Sequence, residues 1–358
     1  MFTCAFLRTF AAKDDETTMF QLCRNECIRL TGVSALLHFL VDGLCICCLY
    51  LTTADGSIDI VLPFVTYNVL AFLTQPLTGW WADKMQQKHW MLLASVLLLT
   101  LAVLMASVTT NSQLAEIRPA HGLVNGQLST AVLLGMGNSL FHVWGGKQTA
   151  IRSGNDIRAL GVFVSTGAFG LAIGGVFASW FLLYAFLLGI GVLAVTALKF
   201  STGNASYNDQ YPHDMKYWEG VWYFIVLIML IVAGRSFAGE AYTTGITKST
   251  TLLLVLGAVS MLGKMAGGWL AKGLGIWKSL LLMVVGAIIC FIGRNLHIAV
   301  MLTGIFLVNC TIPITLYWSN TLIRGKEGLA FGLLAASLIP GYLLATLDLS
   351  AIRLWMDN

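Results

Sequence analysis

The 358 residues are 57% hydrophobic and 11% charged, with a mean hydropathy of +0.79 and a formal net charge of +4. Soluble domains carry about 25% charged residues, so these values exclude a water-soluble fold and make a lipid bilayer the natural solvent. The small positive balance excludes a nucleic-acid surface, and the chain holds no P-loop, dinucleotide fingerprint or nucleophile elbow to support ATP-driven or hydrolase chemistry.

Residues 1–32 read as a cytoplasmic N-terminal segment without a signal peptide, because the short apolar start precedes Arg8 instead of following a basic region. Six apolar runs follow, at about residues 33–51, 58–80, 90–108, 128–144, 160–179 and 180–198. They form an N-terminal six-helix bundle over residues 33–199, and a polar cytoplasmic loop, 200–219, ends it. Five more runs, at about 221–242, 251–270, 277–292, 298–318 and 328–347, form a C-terminal bundle over 220–347. The tail, 348–358, is too short to span again. The reading is therefore an all-α membrane protein of eleven spans.

The basic residues orient it. With the amino terminus inside, fifteen lysines and arginines fall in inner segments and four in outer ones, which is a positive-inside bias. Arg235 and Lys264 remain within spans. A weak repeat relates the halves: Gly79-Trp80-Trp81-Ala82-Asp83-Lys84 ends the second span, and Gly268-Trp269-Leu270-Ala271-Lys272 ends the eighth, 189 residues later. Two bundles related by such a repeat are a transporter architecture, with the substrate site between them near the midplane.

Ionisable groups within spans are the functional candidates. Asp42 is the acid deepest in a span, about 14 Å from its inner end at 1.5 Å per residue. His38 lies one turn earlier on the same face, so the two can share or pass a proton, or serve as a buried pair that orients helices. Arg235 falls in the outer half of its span and Glu240 nearer the outer interface, where it is a gate candidate. His142 falls at the inner end of the fourth span, as a vestibule candidate. Lys147 and Arg152 read as orientation determinants just beyond it, and Lys264 as a snorkelling side chain. The eight cysteines read as small apolar fillers, and no metal site or cofactor is expected.

Gly79, Asp83, Lys84 and Lys88 resemble the cytoplasmic loop motif of the major facilitator superfamily, departing from it at Gln86 and Gln87. The motif makes physical sense: glycine admits close helix approach, the carboxylate can cap a neighbouring helix, and the cations stay inside. The first-span pair His38 and Asp42, the run Gly135-Met136-Gly137-Asn138-Ser139-Leu140-Phe141-His142, and Arg235 together resemble the fosmidomycin-resistance branch of drug exporters, with Val143 where that branch has proline. Gly167, Gly170, Gly174 and Gly175 resemble the glycine-rich antiporter motif without its proline, and also suit plain helix packing. The resemblance implies a major-facilitator-like two-bundle fold, normally of twelve spans, in which Arg235, His142 and Glu240 approach the substrate cavity. It implies proton-coupled export of a small drug-like or anionic compound by alternating access. The implied partners are that small molecule, protons and the lipid bilayer of the cell membrane, and the implied state is a monomer. A metabolite uptake symporter is the alternative. An intramembrane enzyme built on His38, Asp42 and His142 would need those groups to converge on one point.

Overall fold

The computed structural model describes residues 13–53, 61–85, 89–110, 120–201, 220–243, 246 and 249–346, so Lys88 and positions 202–219 of the expected central loop lie outside the described residues, while 200 and 201 continue a helix. Within them the regular structure is helical. The elements are α1 (Lys13–Thr53), α2 (Val61–Asn68), α3 (Gln75–Lys84), α4 (Trp90–Thr109), α5 (Ala120–Arg152), α6 (Ile157–Val176) and α7 (Trp180–Ser201), then α8 (Val221–Ala241), α9 (Thr250–Leu274), α10 (Ile276–Ile292), α11 (Ile298–Cys310), α12 (Ile312–Leu322), α13 (Glu327–Ala336) and α14 (Leu338–Thr346).

Helices satisfy every interior backbone group within one segment, which is what a bilayer demands. Among the described residues nine helical stretches are long and apolar enough to cross a membrane, and α10 is a shorter apolar helix. Three of the crossings are interrupted, one at Ser337 between α13 and α14 and two beside a proline. A π-helical turn, Val69–Leu73, joins α2 to α3, and Pro76 occupies the first turn of α3. Pro313 occupies the first turn of α12, just after the break at Thr311. In both places proline lacks the N–H that would continue the ladder, and the break sits where that donor is missing.

The fourth expected span is the polar exception. α5 runs over 33 residues, far beyond 128–144 at both ends, and buries Gln127, Thr130, Asn138, Ser139, His142, Lys147, Gln148 and Thr149. It touches α1, α2, α3, α4, α6 and α13, so its polar groups face protein rather than lipid. Lys147 therefore lies within a helix and is buried, not in a solvated loop as the hydropathy pattern suggested. The first helix also starts earlier than residue 33: its apolar part is Cys27–Thr53.

Within the first half, α1 packs on α6 and α7, and α4 on α5; within the second, α8 packs on α14, and α11 on α9 and α10. The α1–α6 contact is close because α6 offers glycines: a Cβ on Gly170 would stand 2.2 Å from the Phe39 carbonyl oxygen, and one on Gly174 2.2 Å from that of Gly43. Cys45, Cys47 and Cys48 are free thiols fully buried on α1, where they fill space. The halves meet through α6 against α9 and α12, and through α13 against α3 and α5. Large side chains such as Leu77, Phe181, Leu188, Leu230 and Ile289 are exposed on the outside, as a lipid-facing perimeter requires.

Candidate functional site

Three ionisable side chains converge where α1, α5 and α6 meet. His38 and Asp42 come from one face of α1, a turn apart, and His142 reaches them from α5; they are 5%, 7% and 8% exposed. His38 Nε2 is 3.2 Å from Asp42 Oδ2, and His142 Nε2 is 3.5 Å from Asp42 Oδ1. The two Nε2 atoms are 2.9 Å apart. Asn138, one turn before His142, donates to Asp42 Oδ1 at 2.9 Å. Gly167 on α6 makes the room: a Cβ there would stand 2.3 Å from both Asp42 Oδ2 and His38 Nε2. The His38 ring stacks on Phe163, and Phe331 of α13 lies beside Phe163 and His142, so the second half of the chain covers the cluster.

The hydrogen bonds assign the tautomers. His38 Nδ1 lies 2.7 Å from the Phe163 carbonyl oxygen, and His142 Nδ1 lies 3.0 Å from that of Asn138. A carbonyl only accepts, so each Nδ1 carries a hydrogen and donates it. In the neutral rings both Nε2 lone pairs then point at one another and at a carboxylate. One proton resolves this, by turning an opposed pair of lone pairs into an N–H···N bond beside Asp42. A metal ion is the other cation that would fit, because the ligand atoms of His38, Asp42 and His142 all lie within 4.8 Å of one another. The set supplies three ligands, one fewer than a closed tetrahedral site takes.

On the other half, Arg235 of α8 and Lys264 of α9 are half-buried. Arg235 Nη1 donates to Thr315 Oγ1 at 3.4 Å. Lys264 is within electrostatic reach of His142, Asp42 and Arg235. Among the described residues, no carboxylate lies within ion-pair distance of either cation. Glu240 is half-buried near the end of α8 and is not part of the cluster.

A second constellation closes the end that the charge bias assigns to the cytoplasm. Asp83 accepts hydrogen bonds from the backbone N–H groups of Gly328 at 3.0 Å and Leu329 at 2.8 Å, capping the first turn of α13. Lys147 Nζ sits 3.2 Å from Asp83 Oδ1 and donates to the Ala82 carbonyl at 2.6 Å. The helices touch at glycine: a Cβ on Gly79 would stand 2.2 Å from the Gly328 carbonyl oxygen, and one on Gly332 2.3 Å from that of Gln75. The repeat copy makes a matching approach, with Gly268 of α9 against the Ile157 carbonyl of α6. Lys84 is turned away over the Trp80 ring, at 3.6 Å, and Lys88 is outside the described residues. From the sequence Lys147 reads only as an orientation determinant and Asn138 only as part of the run 135–142, and Phe331 carries no signal. Asn138 had a usable signal, because it stands four residues before His142 and so shares its helix face.

No protein-family model and no curated protein matches the chain. Solved structures do match it in shape. A bacterial homologue of the iron transporter ferroportin, in an outward-facing state, aligns with a TM-score of 0.62 at 14% identity over 91% of this chain and 92% of its own. The same kind of protein with soaked iron aligns at 0.62 and 16% identity, covering 91% of each chain. The E. coli fucose:proton symporter FucP aligns at 0.60 and 12% identity, over 92% of this chain and 93% of its own. At such identities the likeness is one of fold: the chain is an all-α membrane protein with the major-facilitator two-bundle architecture.

Proposed function

We propose that the chain is a secondary active transporter that moves a small anionic compound by alternating access, coupled to protons. The observation that carries this is the facing of two unlike sets across the bundle interface. One half holds a buried carboxylate with two imidazoles, and the other holds two cations lacking an acidic partner among the described residues. Charges within a bilayer are retained where they meet a substrate, an ion or each other. Arg235 and Lys264 together call for an anion, and the histidine pair calls for one small cation. A proton suits that place better than a divalent ion, which would add two positive charges beside Lys264.

The inner contact between Asp83 and α13 supplies the moving part. It joins the two bundles through hydrogen bonds that can break as one unit, which alternating access requires. FucP, which shares the fold, couples fucose to protons, and the ferroportin homologue is related to an iron transporter. These neighbours support transport by this architecture and do not choose the substrate. A proton-driven exporter of drug-like compounds is the second reading, and the glycine stripe of α6 is what favours it.

The test is a comparison of cells with and without the gene for their content of small anions, at two external pH values. One or more anions should change in level, and the change should depend on pH and vanish in Arg235→Gln. An unchanged anion profile together with an altered sensitivity to cationic drugs would contradict the anionic reading.

A further inference from the structure

We infer that the proton and the anion bind together, so the chain works as a cotransporter and not as an exchanger; this rests on the transport reading above. The sign of the coupling follows from where the charges stand. Both imidazoles are pinned through Nδ1 to backbone carbonyls, so their Nε2 atoms, 2.9 Å apart, need one cation between them. With that proton in place the His38–Asp42–His142 set is neutral overall. Without it the set carries the full negative charge of Asp42.

The groups facing this set are known from each helix packed around it. Cys45 comes from α1 and Tyr67 from α2, both within electrostatic reach of Asp42, and Asn138 comes from α5, the Phe163 carbonyl and Gly167 from α6, and the Phe331 ring from α13. Lys264 comes from α9; its own carbonyl rests against Gly161 of α6, six residues before Gly167. Arg235 of α8 is within electrostatic reach of Lys264 and donates to Thr315 of α12. An anion held by Lys264 and Arg235 therefore sees the cluster across the interface. It is repelled by the cluster when the proton leaves and is not when the proton stays.

Exchange needs the opposite sign, with the proton displacing the substrate. The α6 glycines, which sequence resemblance linked to antiport, are occupied in helix packing: Gly170 and Gly174 meet α1 backbone, and Gly167 meets the cluster itself. A unit charge removed roughly 10 Å from the anion, at an effective dielectric constant of about 20, changes anion affinity by about tenfold.

The experiment uses the purified full chain in detergent and three probes of constant charge: lactate, methanesulfonate and sulfate. Their binding is followed by thermal stabilisation at about pH 5.5 and about pH 7.5, which bracket the ordinary imidazole range. The inference expects at least one probe to bind about tenfold more tightly at the lower pH, with net proton uptake when it is added to weakly buffered protein. In His142→Gln, and separately in His38→Gln, each of which removes one of the two opposed Nε2 atoms and leaves Lys264 and Arg235 in place, binding should persist while its pH dependence falls below about twofold. Tighter binding at the higher pH, or proton release on binding, would overturn cotransport and leave the anion reading standing. Stabilisation by none of the three probes at either pH would overturn the anion reading, and the inference with it.

Discussion

Replacing Asp83 by asparagine should open the inner end of the molecule. In the wild type the carboxylate accepts from two backbone N–H groups of α13, at 3.0 and 2.8 Å, and pairs with the buried Lys147 at 3.2 Å. Hydrogen bonds to a charged acceptor contribute about 1.5–3 kcal/mol each. Asparagine keeps one acceptor oxygen, so it saves one of the two bonds, weakened, and leaves Lys147 without its counter-charge. The net loss to the closed arrangement is about 2 kcal/mol, because some of the exposed groups regain water. That shifts the ratio of inner-open to inner-closed molecules by about thirtyfold. Pulsed-EPR distances between labels at Met85 and Arg324, on the two sides of this contact, should show a second, longer population in the variant, and transport should fall with the protein still inserted. A distance distribution indistinguishable from the wild type would refute the reasoning and reduce the loop to a topology signal.

Gly170→Ala should lower the apparent melting temperature and the folded yield, because the new Cβ meets the Phe39 backbone carbonyl at 2.2 Å and overpacking of this kind costs about 1–3 kcal/mol. Gly167→Ala should instead fold nearly as well and lose transport, because its Cβ meets the His38 and Asp42 side chains, which can turn aside only by leaving the cluster; wild-type transport in that variant would contradict the site. Asp156 caps α6 by accepting from the Arg158 backbone at 2.9 Å, and although burial raises its carboxyl, the Arg158 hydrogen bonds hold it below the ordinary carboxylate value. Its stabilising contribution is thus present at neutral pH and lost as pH falls through that lowered value: Asp156→Ala should cost about 1 kcal/mol in thermal unfolding at pH 7, and the gap should close in strong acid.

The helical crossings were legible because a bilayer demands long apolar runs, and the α4 run of 90–108 reappears within one residue as Trp90–Thr109. The stacking of His38 under Asp42 was legible too, because four residues on a helix share a face. What stayed hidden depends on contacts between distant segments. His142 reads as a vestibule residue along its own helix and joins the cluster only because α5 crosses α1 at that height. Lys147 looked like a loop charge because hydropathy cannot distinguish a solvated lysine from one buried against a carboxylate 64 positions away. The length of α5 was missed for the same reason: its polar residues are sheltered by protein, and a scale built on lipid exposure stops too early. The pairing of Asp83 with the first turn of α13 was expected only as capping of some neighbouring helix, and its partner could not be named before the halves were brought together.

The central claim is that this fold carries a proton on the His38–Asp42–His142 set together with an anion. The direct measurement is proton movement in sealed liposomes containing the purified chain and a pH-sensitive dye, after an inward gradient of a bound anion is applied without any pH gradient. The account predicts that the lumen acidifies with the wild type, and that His142→Gln, which lacks one of the two opposed Nε2 atoms, produces no acidification. Alkalinisation of the lumen, or equal acidification with His142→Gln, would contradict it.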